Sequence, residues 1–195
     1  MYKFSRYKMY KTLELLLQDI SLDTCFFVGE DEYSCSSIKQ MLSPKTQIEV
    51  SGYPEVDVMN MSKPDNSVEC LVADQVLEHV LNPFEAVNEI YRVLIPGGLA
   101  IVTTCLMNPV HYASNNDQAR GHAEDYWRFT PNGLRLLFDK YTEILQCNGH
   151  GDFKFLHNCM AGYRDKIVDP GSSLEKLAVG DDGKTYLHVW IVARK

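Results

Sequence analysis

"ECLVADQVLEHVLNPFEAVNEIYRVLIPGGLAIVTTC", residues 69–105, contains two apolar runs and between them the best-specified helix of the chain. Glu69–Ala73 is a short apolar run of strand length. Asn82 can cap a helix, Pro83 suits its first position, and Glu85 stands three residues after the cap. Phe84, Val87, Ile90, Tyr91 and Leu94 recur at helical spacing, and Pro96-Gly97-Gly98 stops the helix. The run Leu99–Cys105 is mostly apolar and rich in β-branched residues, as expected of a central strand covered on both faces. A strand, a helix and a second such strand make a parallel crossover unit, and that unit sets the fold class.

The same alternation extends in both directions. The periodicity predicts a helix over 5–20, with Leu13, Leu16, Leu17 and Ile20 on one face. Strands are predicted at 25–28 and 47–50, with a short helix around 34–42 ending before Ser43-Pro44. Thr130-Pro131 opens another helix with Leu134, Leu137 and Phe138 inward, and 142–147 and 186–193 read as the last strands. This alternation predicts a doubly wound α/β sheet. Residues 148–184 are irregular and carry no assignment. Residues 106–129 also lack a period and exceed ordinary loop length, which points to a functional lid on a single domain covering 1–195.

With 195 residues, 45% of them apolar and 23% charged, the chain can bury a full core. Its net charge of −7 argues against nucleic acid and anionic membrane surfaces as partners. No apolar run reaches transmembrane length, and the N-terminal stretch lacks the cleavage pattern of a signal peptide. The six cysteines form no C-x-x-C pair, so the expectation is a reduced cytoplasmic protein without a metal site. The oligomeric state is not legible.

In an open α/β sheet, ligands bind beyond the carboxyl ends of the strands. Here those ends are rich in acids, which suits hydroxyls, amines or a positive charge better than a pyrophosphate. Residues 56–104 resemble the central half of class I S-adenosylmethionine-dependent methyltransferases of the type 11 kind. The matching positions are Asp57, Asp65, Ser67, Leu77-Glu78-His79, Pro83 and Leu94-x-Pro96-Gly97-Gly98. "EDYWRFTPNGLRLLF", residues 124–138, is similar to a segment found in a subgroup of these enzymes. The fold this implies is a doubly wound, mostly parallel seven-stranded Rossmann-like sheet with its last strand antiparallel. The cofactor implied is S-adenosyl-L-methionine. Asp57 would accept from its adenine amino group, and the Val58 N–H would meet a ring nitrogen. Asp74 and Gln75 would face its methionine portion.

"FFVGEDEYSC", residues 26–35, departs from the family pattern. The strand-one signature h-[ED]-h-G-x-G-x-G places Phe27 at the acid, Gly29 at the first glycine, and Asp31 and Tyr33 at the other two. The acid that normally holds the ribose falls near Gly52, with Glu49 three residues early. Gly29 with Glu30 and Asp31 therefore forms the candidate cofactor loop, its carboxylates standing in for the missing contacts.

The implied function is methyl transfer to a hydroxyl or amine of a small polar, sugar-like molecule. Tyr126, Trp127 and Arg128 are the candidate acceptor-binding residues, and His111, His122 and Asp125 the candidate bases. His79 reads as a structural hydrogen-bonding residue. The alternative is a catalytically inactive methyltransferase-fold binding or partner protein, which the eroded loop favours. A nicotinamide oxidoreductase is excluded, because no G-x-G-x-x-G follows any strand.

Overall fold

The computed structural model describes residues 1–29, 37–53, 55–111 and 124–195. Its main sheet contains β2 (Thr24–Val28), β3 (Gln47–Ser51), β4 (Val68–Asp74), β5 (Leu94–Cys105), β6 (Glu143–His150) and β8 (His188–Arg194). The spatial order is β3-β2-β4-β5-β8-β6. β2 runs parallel to β3 and β4, and β4 runs parallel to β5. β8 is antiparallel to both its neighbours. A separate two-stranded ladder pairs β1 (Tyr2–Lys3) with β7 (Ile167–Val168).

The antiparallel last strand is as expected, but the main sheet has six strands among the described residues where seven were expected. The difference lies between β3 and β4. A further parallel strand there would need two crossovers of at least about ten residues each, plus the strand itself. Residues 52–67 are too few, and the described ones among them contain an isolated Asp57–Asn60 bridge instead.

Side-chain alternation along the strands separates two cores. Phe26, Val28, Leu71, Ala73, Ala100, Val102 and Ile191 face α2 (Pro83–Val93) and α3 (Pro131–Leu137). Cys25, Phe27, Cys70, Val72, Leu99, Ile101 and Trp190 face α1 (Tyr7–Leu17), α4 (Phe153–Asn158) and α5 (Ser173–Ala178). Helices on both faces make the sheet doubly wound. Cys25, Cys70, Cys105, Cys147 and Cys159 are free thiols.

Asn82 caps α2 as its position suggests: its side chain accepts from the Phe84 and Glu85 N–H groups, at 3.1 and 3.4 Å. Thr130 caps α3 by accepting from the Gly133 N–H. α1 is shorter than its periodicity predicts, since Phe4–Arg6 forms a tighter 3₁₀ turn ahead of it. Among the described residues, no helix is long and apolar enough to cross a membrane.

Candidate active site

β2, β4 and β5 end close together, and Gly29 marks the first of these ends. Its φ is +86°, and a Cβ there would lie 2.4 Å from Cγ2 of Val76. Only glycine fits this turn, because a side chain would be strained in φ and would collide with the residue after β4. The Gly29 N–H donates to the Ser51 carbonyl at 3.0 Å, joining the ends of β2 and β3. Glu30 and Asp31, the proposed loop carboxylates, lie outside the described residues.

At the end of β4, Asp74 is buried, and its carboxylate accepts from the Tyr10 hydroxyl at 2.6 Å and from the Thr103 hydroxyl. Arg6 donates to the Tyr10 hydroxyl at 3.1 Å. Burial and the neighbouring Asp74 carboxylate push the Tyr10 phenol well above its ordinary pKa, so it stays a donor. Gln75 takes a φ of +61°; its side-chain amide donates to the Thr103 hydroxyl and its backbone N–H to the Thr103 carbonyl. Arg6, Tyr10 and Thr103 were not legible as site residues. The two N-terminal ones read only as part of an amphipathic helix.

Asp57 accepts the Met59 N–H at 2.8 Å through one carboxylate oxygen. Its other oxygen has no partner among the described residues, so the acceptor chemistry an adenine amino group requires is present. The Val58 side chain is buried. Glu49, three residues short of the ribose-acid position, is paired with Lys63 at 2.8 Å to each oxygen. The donor set therefore fits the cofactor at Asp57 and Gly29, and departs from the family at the ribose.

Beside these strand ends lies a second polar cluster. Glu78 is fully buried, with one carboxylate oxygen accepting from the Thr104 hydroxyl at 2.7 Å and the other without a partner among the described residues. Burial pushes its carboxyl pKa up. The Glu78 carbonyl accepts from the Tyr126 and Trp127 N–H groups, at 2.8 and 3.2 Å. The Trp127 indole donates to the Val80 carbonyl at 2.9 Å, and the Phe129 N–H donates to the Cys105 carbonyl at 3.0 Å. Residues 124–129 are thereby tied to the ends of β4 and β5. Tyr126 and Trp127 remain 46% and 40% exposed, which leaves their rings available to a ligand.

The Asp125 side chain is fully buried and bound bidentately by Arg128, with one nitrogen–oxygen distance of 2.6 Å. Burial alone would raise its pKa. The Arg128 fork and the His111 N–H, which donates at 2.8 Å, outweigh it and hold the acid down at about 2. Asp125 is thus a fixed anion with little capacity as a base. Arg128 also donates to the Asn108 and Pro109 carbonyls. His111 sits with Nδ1 3.2 Å from Asp125, its side chain 31% exposed. His122 lies outside the described residues. Cys105 is no candidate nucleophile, because burial and the nearby Glu78 push its thiol up to about 12.

Residues 24–102 match the family model of a methyltransferase domain. A stretch of 57 residues is 40% identical to a protein of Mycolicibacterium smegmatis described as a probable S-adenosylmethionine-dependent methyltransferase. That match covers 27% of this chain and spans only 22% of the relative's length. Among solved structures, an S-adenosylmethionine-dependent methyltransferase from Mesorhizobium loti superposes with a TM-score of 0.57. It is 12% identical, over 96% of this chain and 98% of that one. The fold is that of a class I methyltransferase. A second structure with this methyltransferase fold, the [4+2]-cyclase SpnF, gives a TM-score of 0.53 at 19% identity, over 96% of this chain and 81% of that one. The methyltransferase fold alone therefore does not fix the reaction.

A groove lined by Leu22, Glu69, Pro96, Gly97, Gly98 and Arg194 lies at the opposite edge, where the parallel strands begin. It is remote from both polar clusters.

Proposed function

We propose that the chain is an S-adenosylmethionine-dependent methyltransferase that acts on a hydroxyl or amine of a small polar, sugar-like molecule. The observation that carries this reading is the half-satisfied Asp57 carboxylate, within the methyltransferase-matching stretch and on the same connection as the strand ends. It is an acceptor with one oxygen to spare, the chemistry an adenine amino group needs. Residues 106–129 act as a lid on a single domain. Trp127 and Tyr126 offer flat faces to a ring, while the Arg128–Asp125 pair fixes the lid's closed end.

Methyl transfer from a sulfonium is an in-line displacement, so most of the acceleration comes from holding donor and acceptor in line. A base is needed only for an acceptor that arrives protonated. His111 fits that role better than Asp125, since Asp125 is locked in its ion pair and instead orients the His111 ring.

One observation favours the second reading, a methyltransferase-fold protein that binds without catalysing. The Asp74 carboxylate is already engaged by Tyr10 and Thr103. Calorimetry with S-adenosylmethionine, followed by a radiolabelled methyl-transfer screen over hydroxylated small molecules, separates the two. Binding with transfer supports the enzyme, whereas binding without transfer to any acceptor class supports the second reading.

A further inference from the structure

We infer that Glu78, His79 and His111 form a binding site for a divalent first-row transition metal ion. One ligand atom from each lies within 4.8 Å of the others, and the two imidazole rings meet edge to face with centroids 5.0 Å apart. Two imidazoles and a carboxylate are the ligand set that suits zinc, iron or manganese, with coordination positions left over for water or an oxygen of a bound molecule.

Three features mark this as more than a chance grouping. First, an oxygen of Glu78 that has no partner among the described residues is buried in a residue with no exposed surface. Leaving a buried carboxylate oxygen unsatisfied is costly, and a cation would remove that cost. Second, His79 holds the Glu124 carbonyl through Nδ1 at 2.9 Å. A carbonyl can only accept, so Nδ1 carries the proton and Nε2 keeps a lone pair. Third, His111 Nδ1 has two oxygen neighbours at 3.2 Å, the Pro109 carbonyl and the Asp125 carboxylate, against one donor, the Asn108 amide at 3.1 Å. In the tautomer with its proton on Nδ1, the Pro109 carbonyl accepts that proton and Nε2 keeps a lone pair for the ion. Metal-binding histidines are characteristically held this way, by a carbonyl or carboxylate on the far nitrogen.

Nothing in the sequence spacing announces the site, because His111 is remote from Glu78-His79 along the chain. The turn after β4 and the loop after β5 bring them together. If the proposed methyl transfer holds, an acceptor oxygen could join the ion's coordination; His111 then serves as a ligand in the loaded protein and as a base only in the metal-free one. That role rests on the functional reading above. The binding itself does not.

The test uses the intact protein, stripped with chelator and titrated with cobalt(II) and zinc(II) without cofactor or acceptor. The expected result is one equivalent of cobalt per chain, with visible ligand-field bands that zinc abolishes. His111→Gln and Glu78→Gln should each weaken zinc binding at least tenfold, and exposed His157→Gln should leave it unchanged. His111→Gln is the decisive variant should Glu78→Gln fail to fold, since the His111 ring is partly exposed. Absence of stoichiometric binding by the native protein would overturn the site. So would zinc affinity that is unchanged in both His79→Gln and His111→Gln. Because S-adenosylmethionine binding is measured separately, either the metal site or the methyltransferase reading can fail without the other.

Discussion

Gly29 and Gly97 show how one residue type can carry different weight. Both have positive φ, +86° and +78°, yet a Cβ at Gly97 would meet nothing within 4 Å while one at Gly29 would strike Val76. Gly97→Ala should therefore cost only the backbone strain, about 1 kcal/mol, and leave ligand binding unchanged. Gly29→Ala adds the collision and should destabilise by ~2–3 kcal/mol. Chemical denaturation of both variants checks this, and equal losses would mean that the contact with Val76 relaxes freely. The Arg128–Asp125 ion pair works at the same scale. Arg128→Ala removes the bidentate partner of a buried carboxylate, so Asp125 would lose the force that holds its pKa near 2. We expect turnover to be abolished in Arg128→Ala while cofactor affinity stays within about twofold, ~0.4 kcal/mol. Full activity on the true acceptor would reduce the proposed lid to packing.

At the scale of elements, capping and packing divide the work. Asn82→Ala removes two hydrogen bonds at the start of α2 and should cost about 1 kcal/mol in urea unfolding, with little effect on activity. That helix was readable from sequence because cap, proline, apolar period and stop all agree within a few residues. α1 was readable as a helix but not as a site element. Leu13 and Leu17 announce its buried face, whereas the bonds from Arg6 and Tyr10 toward Asp74 depend on how the helix crosses the sheet. Local periodicity holds no information about that crossing. The same limit hid the burial of Glu78, which the sequence marks only through the Leu77-Glu78-His79 match and which accepts from Thr104. In 148–184 the elements are short, from Phe153–Asn158 to Ser173–Ala178, and too brief to build a period. Capping side chains from Asp152 and Ser172 start them, signals that stand out only once the flanking strand is fixed.

Across the whole molecule, the sheet order and two buried histidines set the pH response. His188 on β8 is fully buried, and its pKa lies well below the ordinary value because of burial and of Arg6 and Arg164 nearby. His150, its partner across the β6–β8 ladder, is shifted the same way, chiefly by burial. Both are neutral when folded. As pH falls through about 6.5 the unfolded chain takes up these protons and the folded one does not, so their contribution is present above that pH and lost below it. Stability should fall by up to about 1.4 kcal/mol per pH unit for each such histidine. Denaturation at pH 8, 7, 6 and 5 should show a shallower fall in His188→Gln than in the native chain. An identical slope would mean that His188 is protonated in the fold. The strand order follows from chain length: residues 52–67 leave no room for another strand beyond β3, so the sheet ends there and the ribose-acid position falls in a turn. The functional reading therefore depends on Asp57, and calorimetry of S-adenosylmethionine binding to the native chain and to Asp57→Asn tests it. Asparagine keeps an acceptor for the Met59 N–H while replacing the second oxygen with a donor. The expected result is measurable binding by the native protein, weakened by ~1–3 kcal/mol in the variant. No heat and no thermal shift at millimolar cofactor, or equal affinity in the two proteins, would contradict it.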